Sequence, residues 1–192
     1  MAEICKDLNK LHPKVKELAE KFLKECALAG LNIKISETYR SIARQDELYA
    51  QGRTTKGNIV TNAKGADMSS YHQWGLAFDI FNNVKGHEYD IGILTKAGAI
   101  GQKLGLEWGG SWKDFKDYPH FQYTFGLSIK DLKSNKKPPE YKPPVDEDYL
   151  SALNVLVNKK IVSSPELWKN LDNINKDHVR SLIIKVSKAL NQ

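Results

Sequence analysis

One acid inside an apolar run limits what this chain can fold into. Leu76–Asn82 reads Leu-Ala-Phe-Asp-Ile-Phe-Asn, a composition that belongs to a central strand. A carboxylate buried in such a strand is costly unless it is paired or bound to a metal. The fold must therefore deliver partners to Asp79. Two histidines stand in informative places. His72 lies seven residues earlier, and His120 follows in the run Asp117-Tyr118-Pro119-His120-Phe121.

His72 and Asp79 can share one ion only under a condition. Fully extended, the seven residues between them span roughly 23 Å at about 3.3 Å per residue. A helix would still separate them by about 10.5 Å along its axis. The chain has to double back, and Gly75 is where it does so most readily. His120 then arrives from a separate strand, with Pro119 holding Tyr118 extended and so fixing Asp117 relative to His120. Three ligands of the His and Asp kind with an open position for water suit catalytic zinc. The expectation is that His72, Asp79 and His120 hold one zinc ion. Asp117 would serve as acid and base to the water bound there. His87-Glu88 has no second histidine at helical spacing and is read as an exposed turn.

The rest of the chain supplies a frame. Leu11, Val15, Leu18, Ala19, Phe22, Leu23 and Cys26 recur at helical spacing, with Pro13 in the first turn and Gly30 at the stop. Leu31–Thr38 alternates as a strand does. Ser41 is placed to cap a helix running through Gln51 and closed by Gly52. Residues 53–70 have no period and form a long loop, of the length that is more often functional than idle. A turn with room for a second strand is expected over 82–89. A helix over 93–104, a strand with a tight turn over 106–112 and a strand over 121–125 follow. This predicts an α+β domain over residues 1–133, with a small antiparallel sheet and flanking helices. Two Pro-Pro pairs among charges make residues 134–148 a semi-rigid linker. Helical periodicity at 149–157 and 179–190, with a helix opening at Ser164-Pro165-Glu166, makes 149–192 a small all-helical module. That module is at the edge of independent stability, and self-association or docking is expected of it.

Charge and cysteines exclude little but are informative. The 192 residues carry a formal net charge of +6, which favours anionic polymers in general, wall polymers among them. Lysines and arginines are scattered among acids instead of forming a stripe, against a nucleic-acid surface. The two cysteines, Cys5 and Cys26, do not make a disulfide scaffold, and Cys26 is read as a core residue. The first ten residues are too polar for a secretory leader, and no stretch approaches the ~20 apolar residues of a membrane span. Synthesis in the cytoplasm, with action elsewhere only after release, is expected.

Several motifs in series carry a resemblance. Ser70-x-His72-x-x-Gly75-x-Ala77-x-Asp79, followed by Asp117-x-Pro119-His120-Phe121, resembles the zinc D-Ala-D-Ala carboxypeptidase and L-alanyl-D-glutamate peptidase family. The bacteriophage endolysin branch is the most similar. Tyr39-Arg40-Ser41 with Gln45, the Leu48–Arg53 run, Ile59–Ala63 and Leu106–Trp112 extend the likeness over roughly residues 10 to 130. The resemblance implies a DD-peptidase-like fold shared with hedgehog domains. It implies zinc ligands at His72, Asp79 and His120, a catalytic acid/base at Asp117, and Arg40 on the oxyanion or a substrate carboxylate. Gln45 and Ser70 match substrate-side polar positions. The implied activity is hydrolysis of the L-Ala–D-Glu bond of peptidoglycan on the host cell wall. Removal of terminal D-Ala from the same stems, and a wall-binding module of the same fold without catalysis, are the alternatives.

Overall fold

The computed structural model describes residues 2–141, 147–162 and 176–190. Among them are four strands and six α-helices, an α+β architecture. The chain divides into two compact units, Met1–Pro143 and Pro144–Gln192.

The first unit begins with α1 (Pro13–Leu28). His12 caps it, its ring Nδ1 accepting the Lys14 N–H, and Pro13 takes the first helical position, where no N–H is needed. Val15, Leu18, Ala19, Phe22 and Cys26 form the buried stripe of this helix. Burial pushes the Cys26 thiol up to about 12, which leaves it an inert core group. Then come β1 (Ile33–Glu37), α2 (Ile42–Ala50), β2 (Ala77–Asn82), α3 (Ile91–Lys103), β3 (Glu107–Trp108), β4 (His120–Gln122) and the short α4 (Ile129–Lys133). The four strands make one antiparallel sheet in the order β1-β2-β4-β3.

The register of β2 against β4 decides where the core ends and the site begins. Phe78 stands opposite Phe121, and Asp79 stands opposite His120. Successive side chains leave a strand on opposite faces. Phe78 and Phe121 go to the α1 side, where they stack at 5.6 Å between centroids and meet Phe22 at 5.9 and 4.8 Å. Asp79 and His120 go to the other face together. On the other flank, β1 carries a bulge between Ile35 and Glu37, so Glu37 comes to lie opposite Asp79.

Two expectations need adjustment, and a third is untested. Residues 83–89 hold no strand and form a turn. Ser134–Tyr141, expected to be linker, lies against α1. The Tyr141 hydroxyl bonds Glu17, its ring sits under the Lys14 ammonium at 4.8 Å, and the Pro139 carbonyl is 3.2 Å from His12 Nε2. A Pro-rich segment lacks its own ladder but still presents carbonyls and rings for docking, and composition does not reveal that. The helix expected from Ser164 lies outside the described residues.

The second unit contains α5 (Glu147–Asn158) and α6 (Lys176–Leu190). Tyr149, Ala152, Leu153, Leu156, Val162 and Ile183 form its separate small core. No helix among the described residues is long and apolar enough to cross a membrane.

Two glycines on α3 set how closely the sheet can approach. A Cβ at Gly98 would lie 2.4 Å from the Trp108 ring, and one at Gly101 would lie 2.4 Å from the Phe121 ring. Gly101→Ala is expected to lower stability by about 1–3 kcal/mol through overpacking. Because Phe121 directly follows His120 on β4, the same variant should bind metal less tightly. Urea denaturation with and without metal measures both effects.

Candidate metal centre and active site

His72 reaches the site on a 3-10 turn, Tyr71–Trp74, which ends at Gly75 with φ of +67°. A side chain there would press on the Lys10 carbonyl, 2.9 Å from the added Cβ. This left-handed residue is the reversal that lets His72 and Asp79 meet. Asp79 and His120 are already cross-strand neighbours. The inward atoms of the three residues form a nearly equilateral triangle. His72 Nε2 to His120 Nδ1, His72 Nε2 to Asp79 Oδ1, and His120 Nδ1 to Asp79 Oδ1 are each 3.2 Å. The three residues are 1, 9 and 7% exposed.

The outer hydrogen bonds identify what this triangle can hold. His72 Nδ1 lies 2.6 Å from the Thr38 carbonyl, which only accepts, so the ring proton sits on Nδ1 and the Nε2 lone pair points inward. Gln122 donates its amide to Glu107 at 2.8 Å, which turns its carbonyl oxygen to His120 Nε2 at 2.9 Å. His120 Nδ1 is thereby also an inward lone pair. With the Asp79 carboxylate, three acceptors converge with no proton assigned between them. A cation resolves that conflict. A tetrahedral zinc with bonds of 2.0–2.1 Å has ligand–ligand edges of about 3.3–3.4 Å, so the two-nitrogen, one-oxygen set fits it in type and in spacing. Without a cation the cluster relieves itself by protonation. Burial opposes a charge on His120, but bonds and charge from Asp79 and Asp117 outweigh it and raise its pKa. His72 moves the other way, lowered chiefly by burial. Asp79 stays ionised well below the usual carboxylate range because His72, Arg40 and His120 override its burial.

Arg40 braces the centre from the β1 side. Its Nη2 bonds Asp79 Oδ2, the oxygen turned away from the histidines, and its Nε bonds Glu37 Oε2 at 2.7 Å. Glu37, brought level with Asp79 by the bulge, also takes Arg44 Nε at 2.7 Å. Arg40 Nη1 lies 3.4 Å from Gln45 Oε1.

Asp117 comes from the turn before β4, in which the His120 N–H bonds the Asp117 carbonyl at 3.2 Å. Gly109 makes room for it. A Cβ there would lie 2.5 Å from the Asp117 carbonyl oxygen and 3.2 Å from His120 Cβ. Burial first, and the charge of Asp79 second, push the Asp117 carboxyl up to about 6.

These residues line one cavity of about 690 Å³. His72, Asp79, His120, Arg40, Asp117 and Ser70 all face it. Gln45 does not. It was expected on the substrate side, but it is fully buried, with its amide nitrogen on Thr61 Oγ1 and the Ala63 carbonyl at 3.2 and 2.9 Å. A glutamine that faces its own loop cannot also face a ligand. Sequence reasoning missed Tyr89, Trp112 and Phe115, which also line the cavity, and the Trp112 ring stands 5.1 Å from that of His120. Single aromatics in loops carry no periodic signal that would single them out.

Known proteins resemble this chain over the residues that build the site. The family model described as D-alanyl-D-alanine carboxypeptidase matches residues 63–123, from the loop before His72 to the end of β4. Over 123 residues the chain is 46% identical to the peptidoglycan L-alanyl-D-glutamate endopeptidase CwlK of Bacillus subtilis, covering 58% of this chain and 72% of that protein. The chain belongs to the D-Ala-D-Ala carboxypeptidase and L-alanyl-D-glutamate peptidase family. It is also 33% identical over 124 residues to the L-alanyl-D-glutamate peptidase of Listeria phage A118, covering 62% of this chain and 40% of that one. Among solved structures, the L-Ala D-Glu endopeptidase ChiX of Serratia marcescens matches with 26% identity and a TM-score of 0.47. That match covers 62% of this chain and 84% of ChiX. VanYB in complex with D-Alanine-D-Alanine matches with 15% identity and a TM-score of 0.44, covering 71% and 91%.

Two measurements follow from the electrostatics. Gln122→Ala removes the acceptor that orients His120 and should weaken metal binding about 10–100-fold, read by competition with a chromogenic chelator. Asp117 is the converse case. Its folded pKa of about 6 lies above its unfolded value, so the stability it contributes in the metal-free protein is present at low pH and lost as pH rises through about 6. Metal-free Asp117→Asn should therefore melt above the wild type at pH 7.5, and the gap should close towards pH 4.

Proposed function

We propose that this chain is a zinc-dependent endopeptidase that hydrolyses the L-Ala–D-Glu bond of peptidoglycan stem peptides. The observation that carries this reading is the triangle of three inward acceptors beside Asp117, in a cleft open enough for a peptide. The identity to CwlK supports the choice of bond. The phage relative supports action as an endolysin, made inside a host cell and released onto its wall.

His72 Nε2, Asp79 Oδ1 and His120 Nδ1 would hold the ion. When bound, zinc polarises the scissile carbonyl and acidifies a water. Asp117 takes the proton from the attacking water and returns it to the leaving amine. Its raised pKa suits both halves of that task, since a group near 6 takes a proton more readily than an ordinary aspartate and is still acidic enough to return it to an amine. Arg40 keeps Asp79 ionised and aimed. The N–H groups that its three bonds leave over make it the charged donor for the developing oxyanion. Ser70, at the head of the turn that carries His72, is assigned to the substrate. Residues 149–192 are assigned to wall attachment or self-association.

Purified walls and muropeptide mass spectrometry test the proposal. New D-Glu amino termini are expected, abolished by chelator and restored by zinc. Release of terminal D-Ala alone would make the chain a carboxypeptidase, the activity for which its family model is described. Wall binding with no cleavage would make it a binding module. Asp117→Asn should lower kcat by about 10²–10⁴-fold with metal content unchanged. In the wild type kcat/KM should fall on the acid side as Asp117 takes up its proton, with bound metal drawing that limb below pH 6.

A further inference from the structure

The loop of residues 53–70 forms one wall of the cleft through Val60, Thr61, Asn62 and Ala63. It has almost no ladder of its own, apart from an isolated bridge between Gln51 and Thr55. It is fastened to α2 by side chains instead. Arg53 Nη1 donates to the Tyr49 carbonyl at 2.8 Å and to the Thr61 carbonyl at 3.0 Å, and Nη2 donates to Asn62 Oδ1 at 2.9 Å. The same guanidinium lies over the Tyr49 ring, 4.1 Å from its centroid. Gln45 takes Thr61 Oγ1 and the Ala63 carbonyl, and Asp46 Oδ1 takes the Gly65 N–H at 2.7 Å.

This fastening is selective. The carbonyls of Thr61 and Ala63 are both used, whereas the main-chain N–H and C=O groups of Val60 and Asn62 have no partner among the described residues. Val60 and Asn62 are also the more exposed members of the four. A wall held on one side, with free main-chain donors and acceptors next to a cleft, is what a peptide can pair with by strand addition. The wall is also joined to the metal centre, because Gln45 holds Thr61 and Ala63 with its nitrogen and Arg40 with its oxygen, and Arg40 holds Asp79.

We infer that Val60–Ala63 is a main-chain rail that binds the peptide substrate by backbone hydrogen bonds, and that Arg53 is the positioning residue that holds the rail in place. This rests on the peptidase reading above. Recognition through the main chain selects an extended peptide by its shape and bond spacing. The side chains around the scissile bond are then read elsewhere in the cleft.

The experiment compares wild type and Arg53→Ala on a stem peptide and on a set of depsipeptides, each with one non-scissile amide replaced by an ester. An ester removes a single N–H donor. At one position it should raise the wild-type KM roughly tenfold with little change in kcat. Arg53→Ala should raise KM on the all-amide peptide to a similar extent, with kcat and metal content unchanged, and the ester should then add nothing further. Arg53→Lys, which keeps a donor near Tyr49, should recover part of the loss. The inference is overturned if Arg53→Ala matches wild type, if no ester position raises KM, or if the two effects multiply independently. Should Arg53→Ala fail to fold, the depsipeptide series on wild type and Arg53→Lys decides alone. Failure of the wild type to cleave the stem peptide at all would overturn the peptidase reading instead, so the two failures are distinct.

Discussion

The face-to-face pairing of Asp79 with His120 is the constraint on which the rest of this unit depends. Both belong to strands whose next residues, Phe78 and Phe121, are sealed into the core. A slip of one residue would exchange the two faces, sending a carboxylate and an imidazole inside and two phenylalanines out. The hydrophobic effect that fixes the register therefore also fixes the spacing of two candidate ligands. No flexible side chain has to find its partner after folding. The small residues of α3 serve the same end by letting Trp108 and Phe121 come close.

Around that pair the protein arranges charge so that each group has one task. Asp79 divides its two oxygens between the histidines and Arg40. Glu37 accepts two arginines, which would otherwise place excess positive charge beside a cation site. Thr38 and Gln122 set the tautomers from outside. The result is a cluster of three inward acceptors suited to a cation, beside a carboxyl whose pKa burial and the charge of Asp79 push up to about 6. Such sites are stable in function and costly in isolation, since acceptors at 3.2 Å repel one another until something positive joins them.

Much of this was legible in the residues. An acid inside an apolar run announces a partnered carboxylate, and a glycine between His72 and Asp79 announces the reversal needed to join them. Helices showed through their period and their caps. Less legible were features that depend on the backbone of other segments. The bulge in β1 leaves no mark in Ile-Lys-Ile-Ser-Glu, yet it aligns Glu37 with Asp79. Gln45 was read as a substrate group because it matches a substrate-side polar position in the family it resembles. Only the path of a loop sixteen to eighteen residues further on shows that its amide is spent on Thr61 and Ala63. Arg53 escaped for a similar reason, two of its partners being main-chain carbonyls that any sequence would offer.

The N-terminal segment gives one of these details a wider meaning. Thr38 donates its N–H to the Cys5 carbonyl at 2.7 Å, while its own carbonyl takes His72. Its hydroxyl lies within 3.1–3.3 Å of Cys5 and Asp7. The peptide chain before α1 thus leans on the same residue that orients His72. An ion bound at His72 would be linked thermodynamically to docking of that segment, since each is favoured when Thr38 is held still. Loading the centre would then draw in the first residues of the chain, and a protease working at that end would sense whether metal is there.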